Sequence, residues 1–427
     1  MNKSKENTSS SCARRSFIKD SGLMIAGGAI GGAVAVGKAV QGGSNAPIKI
    51  AIVGCGRRAR ELADAVWAVD DEAVQLVGLA DYFPSQTQSL YRSLKGRYGG
   101  QITANCVRSG GADCLNPILD SDADIVYVTT PPVDRPDCFR KIVEAGKHAF
   151  LEKPLAADAA GVLQSIDTAE QANAAGLTVH VGFQRRYDHR YQDVIERVRN
   201  GAVGTPVFAR AFCNAGSLRP PTRAGNESDA DFQRRNWNHF QWTGGDFLVE
   251  QHVAGLDVIR WALDQAPFVA QGQGGWGTFD TAEHPSLQPD RSGEVFDHHT
   301  VEFEFTTGAV LMSQCRRVAK SWNNTSEHVH GTLGRADLSA GKIYSLDGNL
   351  VWQSDRPSSL KTATVEQQRA FLGSIRRGAA ENQVESAAAS TLMAMLGHQA
   401  TRTGKRLQML KWINEAKFHL QQSSARG

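Results

Sequence analysis

A short apolar segment that runs directly into a glycine turn constrains the fold of this chain more than any other feature. Residues 48–53 are apolar at five of six positions, and residues 54–59 follow with the pattern Gly-x-Gly-x-x-Ala before a predicted helix. In such a unit Gly54 allows the tight turn, Gly56 lets the backbone approach a pyrophosphate, and Ala59 brings the helix close to the strand. The helix N-terminus offers unpaired N–H groups to phosphates. The pattern therefore predicts a dinucleotide site of the Rossmann type.

An acidic residue follows the next apolar segment. Residues 74–80 predict a second strand, which ends in Asp81. A carboxylate at this place accepts hydrogen bonds from the adenosine ribose hydroxyls, and it repels a 2′-phosphate. Tyr82, rather than a basic residue, comes next, so NAD is favoured over NADP. The alternative is that Asp81 only caps the next helix.

Strands and helices continue to alternate along the first half. Residues 102–107, 124–128 and 147–151 predict strands, and residues 135–145 predict a helix. This alternation predicts a parallel, doubly wound sheet. Ligands of such sheets bind beyond the carboxyl ends of the strands. Four candidate residues fall at such ends: Gly54, Asp81, Thr130 and Lys153.

The N-terminal segment is predicted to be a targeting signal rather than part of the folded protein. Arg14 and Arg15 precede a weakly hydrophobic stretch, residues 23–36, that is rich in Gly and Ala. This is typical of a twin-arginine export signal; a membrane anchor is the alternative, and the glycines make it marginal. We expect residues 1–46 to be this signal and the protein to be periplasmic or associated with the cell envelope. Because that route moves folded proteins to a place without a nicotinamide pool, we expect the dinucleotide to be bound before export and held tightly.

Composition excludes some functions. Hydrophobic residues make up 41% and charged residues 21% of the chain, which is typical of a soluble globular protein. The net charge of +3 gives no reason to expect a nucleic-acid partner. The cysteines after Cys12 show no paired spacing, so we expect buried thiols and no disulfide framework. The histidines at 297–299 and 327–330 are expected to be neutral residues at strand ends, and no metal site is predicted.

With these motifs the sequence resembles the Gfo/Idh/MocA (glucose–fructose oxidoreductase/inositol dehydrogenase) family, in particular its exported branch. The resemblance covers nearly all of residues 48–410. Besides the glycine turn, the motifs that carry it are Thr130-Pro131-Pro132, residues 144–148, Glu152-Lys153-Pro154, residues 182–186 and residues 244–252. It implies an α/β fold, with a Rossmann domain over 47–182 and a C-terminal α/β domain over 183–427 that has an open mixed, largely antiparallel sheet. It also implies a homodimer or homotetramer formed through that sheet.

The resemblance assigns roles to several residues. Lys153 would lie between the nicotinamide and the substrate, where it positions the hydroxyl that becomes a carbonyl. Residues 182–186 would lie near the nicotinamide, with Arg186 reaching substrate oxygens and with Tyr187 as an aromatic type common there. The alternative for the arginines is ion pairing at the surface. The predicted cofactor residues are Gly54, Gly56, Arg57, Ala59, Asp81, Thr130, Pro131, Glu152, Lys153, Gln184 and Arg185.

One departure from the family pattern concerns the chemistry. Many members carry Asp-x-x-x-His on a helix of the second domain, but here these positions are Glu250 and Ala254. Residues four apart share a helix face, so the usual histidine is missing. His252 is predicted on roughly the opposite face, either as a hydrogen-bonding residue or as a substitute catalyst, and Asp257 on the face of Glu250. Lys153, Glu250 and Tyr187 are the remaining catalytic candidates.

The polar segment 214–238 predicts a long loop that lines the site. The predicted substrate residues are Arg186, Arg235, Trp237, Asn238, His252 and Asp257. The leading hypothesis is an NAD-dependent oxidoreductase acting on a sugar, polyol or similar compound. The alternatives are a redox-neutral, NAD-dependent glycosidase and a non-catalytic NAD-loaded binding protein.

Overall fold

The computed structural model describes residues 46–69, 73–216, 221–276 and 294–424. The predicted export signal therefore lies outside the described residues, apart from Ala46. No helix in these four ranges is long and apolar enough to cross a membrane.

The first sheet has six parallel strands in the order β3-β2-β1-β4-β5-β6. Its strands are β1 (Ile48–Val53), β2 (Val74–Asp81), β3 (Ile102–Gly110), β4 (Ile125–Val128), β5 (His148–Leu151) and β6 (Val179–Val181). The connecting helices are α1 (Arg57–Val69), α2 (Pro84–Tyr98), α3 (Asn116–Leu119), α4 (Arg135–Glu144) and α5 (Ala159–Ala174). The predicted doubly wound sheet is confirmed.

Strand β1 is apolar along its length because both of its faces are covered. Ile50 and Ile52 pack into one hydrophobic core, and Ala51 and Val53 pack into the other. A parallel sheet with helices on both sides buries alternate residues of a strand in two different cores. The glycine turn thus follows a strand that is packed on both faces.

The second sheet has nine strands in the order β14-β13-β12-β11-β7-β10-β9-β8-β15. They are β7 (Pro206–Ala215), β8 (Pro267–Gly275), β9 (His298–Phe305), β10 (Val310–Arg317), β11 (Asn324–Gly331), β12 (Gly334–Asp337), β13 (Lys342–Ser345), β14 (Leu350–Gln353) and β15 (Leu407–Gln408). Neighbouring strands are antiparallel except β7 and β10. The predicted mixed, largely antiparallel sheet is confirmed.

Helices of the second half cover one face of this sheet and also reach back to the first. They are α6 (His189–Arg199), α7 (Asp229–Arg235), α8 (Gln241–Gly244), α9 (Val253–Leu263), α10 (Leu360–Arg376), α11 (Val384–Thr403) and α12 (Met409–Ser424). Along β10, Leu311, Ser313 and Cys315 are buried, whereas Met312 is exposed on the opposite face. Helix α10 packs on the first sheet, where Phe371 contacts Tyr127.

The segment 214–238 is not one long loop, and this expectation was wrong. Strand β7 continues to Ala215, and α7 begins at Asp229. The side chain of Ser228 accepts a hydrogen bond from the backbone N–H of Asp231, which caps the helix. Acidic residues in the first turn and Arg234 in the last turn suit the helix dipole.

A π-helical turn, Leu248–His252, precedes α9. Its wider spacing changes which residues share a face. The carboxylates of Glu250 and Asp257, which are predicted on one helix face, have different partners: Glu250 Oε1 lies 3.7 Å from Lys153 Nζ, while Asp257 Oδ2 accepts from Arg186 Nε at 2.8 Å.

Candidate active site

The glycine turn has the shape that a dinucleotide requires. Gly54 has φ +89°, and a Cβ there would lie 2.6 Å from the carbonyl carbon of Thr129. Its N–H donates to the Ala80 carbonyl at 2.8 Å. By contrast, no described atom lies within 4 Å of the place a Cβ would take at Gly56. The turn is therefore closed on the protein side and open where a pyrophosphate would approach.

Asp81 supports this turn. Its carboxylate accepts from the backbone N–H of Cys55 at 2.6 Å and from that of Phe83 at 2.8 Å. Burial raises the pKa of Asp81, against the effect of these two hydrogen bonds. Helix α2 has Phe83 as its N-cap residue, without a capping side chain. Asp81 thus lies beside the glycine turn, at the edge where a ribose would sit, and is not the cap of α2.

Thr130 follows β4 on the other side of the turn. Its hydroxyl is buried and has no hydrogen-bond partner in the described part of the chain. Its carbonyl accepts from Arg135 Nε at 3.0 Å and from Nη2 at 2.7 Å, and the same guanidinium donates to the carbonyl of Pro154. Burial lowers the pKa of Arg135 to about 10. Arg135 thus connects the loop after β4 to the loop after β5 by hydrogen bonds, a role that no sequence motif indicated.

Arg58 ties three predicted cofactor segments together. Its Nε donates to Glu152 Oε1 at 2.6 Å, and its Nη2 donates to Gln184 Oε1 at 3.2 Å. A Cβ at Gly182 would lie 2.6 Å from the Glu152 carboxylate, so this glycine allows the approach. Arg57 instead pairs with Glu61 at the surface. Of the two arginines in the turn, the structure brings Arg58 to Glu152 and Gln184.

Lys153 lies where the two sheets meet. Its Nζ donates to the backbone oxygen of Glu250 at 2.6 Å and lies 3.7 Å from Glu250 Oε1. Arg317 Nη2 lies 3.6 Å from the other carboxylate oxygen of Glu250. All three side chains are at most 17% exposed. Lys153 and Arg317 thus place two cations around the Glu250 carboxylate. Lys153 lies just after β5, Glu250 lies in the π-turn, and Arg317 ends β10.

Arg317 is the member of this group that sequence reasoning missed. It ends β10, and it lies on the inward face with Leu311, Ser313 and Cys315. Its guanidinium carbon is 4.0 Å from the centre of the Phe247 ring, and Nη1 has no partner among the described residues. Burial lowers the pKa of Arg317. The alternation along β10 was the signal that could have placed it.

Arg185 and Arg186 form ion pairs with carboxylates of the second half. Arg185 pairs with Glu327, which also accepts from the Tyr191 hydroxyl at 2.8 Å. Arg186 holds both oxygens of Asp257, at 2.8 and 2.7 Å. These pairs are largely buried, unlike the surface pairs considered as the alternative. The structure joins Arg186 and Asp257 to each other rather than to Lys153.

Tyr187 and His252 lie apart from the Lys153 group. The Tyr187 hydroxyl accepts from Gln383 Nε2 at 2.5 Å and lies 3.4 Å from His180 Nδ1. His252 Nε2 is 2.8 Å from the Ser313 hydroxyl, and burial lowers the pKa of His252 to about 3. His252 is therefore neutral at pH 7, and it anchors the π-turn to β10.

The remaining substrate candidates are Arg235, Trp237 and Asn238, at the end of α7 and in the turn that follows it. Arg235 Nε donates to Glu227 at 2.8 Å, and its guanidinium lies 4.3 Å from the centre of the Phe83 ring. Trp237 and Asn238 form the turn between α7 and α8, where the Trp237 carbonyl accepts from Thr243 at 2.7 Å. Arg235 thus lies against the loop after β2, whereas the Trp237 contact lies within the second half.

The residues present fit a bound dinucleotide. The open approach at Gly56, the N-terminus of α1 and the unpartnered Thr130 hydroxyl suit phosphate and ribose oxygens. Glu152 Oε2 accepts from the backbone N–H of Lys153 at 3.2 Å, and Gln184 Oε1 accepts from Arg58 Nη2, beside the glycine turn, at 3.2 Å. No group of three metal-binding side chains occurs in the ranges that the structure describes.

Comparison with known proteins agrees with this geometry. Residues 48–183 match the model of the oxidoreductase family with an NAD-binding Rossmann fold, GFO_IDH_MocA. The scyllo-inositol 2-dehydrogenase (NAD(+)) of Bacillus subtilis (strain 168) is 23% identical over 291 residues, which cover 67% of this chain and 72% of that protein. Inositol 2-dehydrogenase 3 of Saccharopolyspora erythraea is 30% identical over 214 residues, and the chain spans about half its length, 52%.

A solved structure shares the fold. Scyllo-inositol dehydrogenase from Lactobacillus casei, with bound NAD(H) and scyllo-inositol, has a TM-score of 0.63 at 17% identity, covering 85% of this chain and 99% of that one. These matches confirm the predicted resemblance and the NAD-binding domain. Residues 48–183 therefore carry the NAD-binding Rossmann domain of the Gfo/Idh/MocA oxidoreductase family, and the fold as a whole is similar to that of the L. casei enzyme.

Proposed function

We propose that this protein oxidises a hydroxyl group of a polyol or sugar with NAD, and that Lys153 and Glu250 handle the proton. The observation that carries the proposal is the position of Lys153 Nζ, bonded to Glu250 where the NAD-binding sheet meets the second sheet. The names of the B. subtilis and S. erythraea relatives, both inositol dehydrogenases, support a polyol as substrate.

When bound, NAD supplies the hydride acceptor. The residues of the chain do the rest: Lys153 donates a hydrogen bond to the substrate hydroxyl oxygen and orients it. The Glu250 carboxylate, 3.7 Å from Lys153 Nζ, would accept the proton that leaves this oxygen. Arg317 Nη1, which has no partner among the described residues, can hold a second substrate oxygen. The histidine that the family pattern would put at position 254 is absent, so proton transfer depends on this group.

The direct experiment replaces Lys153. Lys153→Ala should lower kcat by roughly 10²- to 10⁴-fold, the usual contribution of a positioned acid–base group, while NAD binding stays close to normal. The matched control is Lys405→Ala, which removes an exposed lysine. Measured turnover on a panel of inositols and sugars, with NADH absorbance as readout, decides the matter. Undiminished turnover in Lys153→Ala would contradict the assignment.

The two other hypotheses find no specific support in the site. Aryl glycosides in the same panel test the glycosidase alternative, because it releases the aglycone without net NADH. Turnover of any polyol by the natural chain removes the binding-protein alternative.

We also propose export by the twin-arginine route and a periplasmic location. Arg14 and Arg15 followed by the weakly hydrophobic stretch support this. An oligomer through the open face of the second sheet is proposed on the exposure of Met312 (45%) and Trp322 (63%) there. Cell fractionation and the mass of the particle in light scattering are the measurements.

A further inference from the structure

Helix α7 belongs to the second half of the chain, but three of its side chains contact the loops that follow strands of the first sheet. The Tyr82 hydroxyl, after β2, donates to Asp231 Oδ1 at 2.8 Å. Arg234 Nη1 donates to both oxygens of Asp134, after β4, at 2.9 and 3.0 Å. The aromatic residues after β2 also lie against the two arginines of the helix, with Arg234 4.9 Å from the ring centre of Tyr82 and Arg235 4.3 Å from that of Phe83.

The sheet order makes these contacts significant. Strands β2 and β4 are the two neighbours of β1, so their ends flank the glycine turn on both sides. Tyr82 directly follows Asp81, and Asp134 follows Thr130 by four residues. A helix bonded to both loops therefore crosses the side of the dinucleotide site where Asp81 would meet the adenosine ribose.

The bridge does not depend on one weak contact. Arg234 and Asp134 are each about one-quarter exposed, and the carboxylate is held through both of its oxygens. Arg234 also lies 5.6 Å from the centre of the Trp242 ring. A partly buried ion pair is screened less by solvent than an exposed pair. The Ser228 cap fixes the helix itself from within the second half.

We propose that α7 closes the adenosine end of the NAD site, so that NAD bound by this chain cannot leave until Arg234 and Tyr82 release their partners. This inference rests on the proposed function, since it concerns the same cofactor. The adenosine end of a dinucleotide must pass between the loop after β2 and the loop after β4, and α7 holds these two loops together. The bound cofactor then behaves as a resident group, as a protein exported to a place without free nicotinamide nucleotides requires.

The experiment measures release of NAD. The full-length protein is loaded with NAD and diluted into excess ADP-ribose, which prevents rebinding of released NAD. At successive times the protein is removed by rapid filtration, and the free NAD in the filtrate is assayed. Arg234→Gln combined with Tyr82→Phe removes both bridging bonds and keeps the aromatic ring. We expect release at least tenfold faster than in the natural chain. Arg223→Gln is the matched control, because Arg223 pairs with Asp229 on the same helix and not with the first sheet.

A charge swap tests the geometry independently of loop stability. Arg234→Asp alone should release NAD quickly, and adding Asp134→Arg should restore slow release. Hydrogen exchange of the backbone amides of residues 229–235 should be faster in the variant that combines Arg234→Gln with Tyr82→Phe. Equal release rates in the natural chain and the bridge variants, or equal acceleration in Arg223→Gln, would overturn the inference. If the natural chain binds no NAD at all, the proposed function itself fails instead.

Discussion

Gly54 and Gly56 are both glycines of one turn, but they are required for different reasons. At Gly54 a side chain would meet the backbone of Thr129 and Thr130, and φ is +89°. At Gly56 nothing in the described chain opposes a Cβ. Gly54 is therefore needed by the fold, whereas the described fold places no such demand on Gly56.

This difference gives a paired prediction. Gly54→Ala should lower the free energy of unfolding by about 1–3 kcal/mol, because it combines strain with backbone overlap. Gly56→Ala should leave stability within about 0.5 kcal/mol and still weaken NAD binding at least tenfold. Urea denaturation and calorimetric titration with NAD measure the two effects. Normal NAD binding by the Gly56→Ala variant would contradict the prediction that the pyrophosphate lies against this turn.

His252 predicts a dependence of stability on pH. Its pKa is lowered to about 3 in the folded chain, from 6.5 in the unfolded chain. Between these values the unfolded chain holds the extra proton, so stability falls as the pH drops below about 6.5. The loss between pH 6.5 and 4.5 reaches at most about 2–3 kcal/mol from this residue.

The check is the pH dependence in His252→Gln. The variant should be less stable at pH 7.5, because the bond to Ser313 is disturbed, but its stability should fall less steeply between pH 6.5 and 4.5. His180, whose pKa burial lowers to about 4, contributes in the same direction and remains in both proteins. Identical slopes in the two proteins would show that His252 is not held neutral.

At the level of elements, Arg135 joins two loops that carry site residues. It donates to the carbonyls of Thr130 and Pro154 from a position only 5% exposed. Arg135→Met keeps much of the apolar stem but leaves those two carbonyls without their donor. We expect a loss of about 3 kcal/mol in the free energy of unfolding and a raised KM for NAD. Arg140→Met, on the exposed side of α4, is the control and should change neither quantity.

The sequence predicts some elements and not others, for physical reasons. Strand β1 and helix α1 were predictable because a buried parallel strand is apolar throughout and its turn needs two glycines. Helix α7 carried a signal, the Ser228 cap with its charge pattern, that the polar composition of the segment obscured. The π-turn at Leu248–His252 has no sequence signature of its own, so it could not be predicted. Arg317 is contributed by a strand far along the chain, and only the sheet register brings it to Lys153.

At the level of the whole molecule, the site forms only where the halves meet. The first sheet contributes the glycine turn and Lys153, and the second half contributes Glu250 and Arg317. Helix α7 adds a further connection between the halves through the Tyr82–Asp231 and Arg234–Asp134 contacts. On the proposal made above, a dinucleotide bound at this junction would be released only when these contacts break.

The most direct test of the account is native mass spectrometry of the full-length protein purified from the cell envelope without added nucleotide. We predict one NAD per chain, which stays bound through desalting and is reduced to NADH when a polyol substrate is supplied. A chain that arrives in the envelope folded but carries no dinucleotide would contradict the account, because neither the resident cofactor nor the closed adenosine end would then exist.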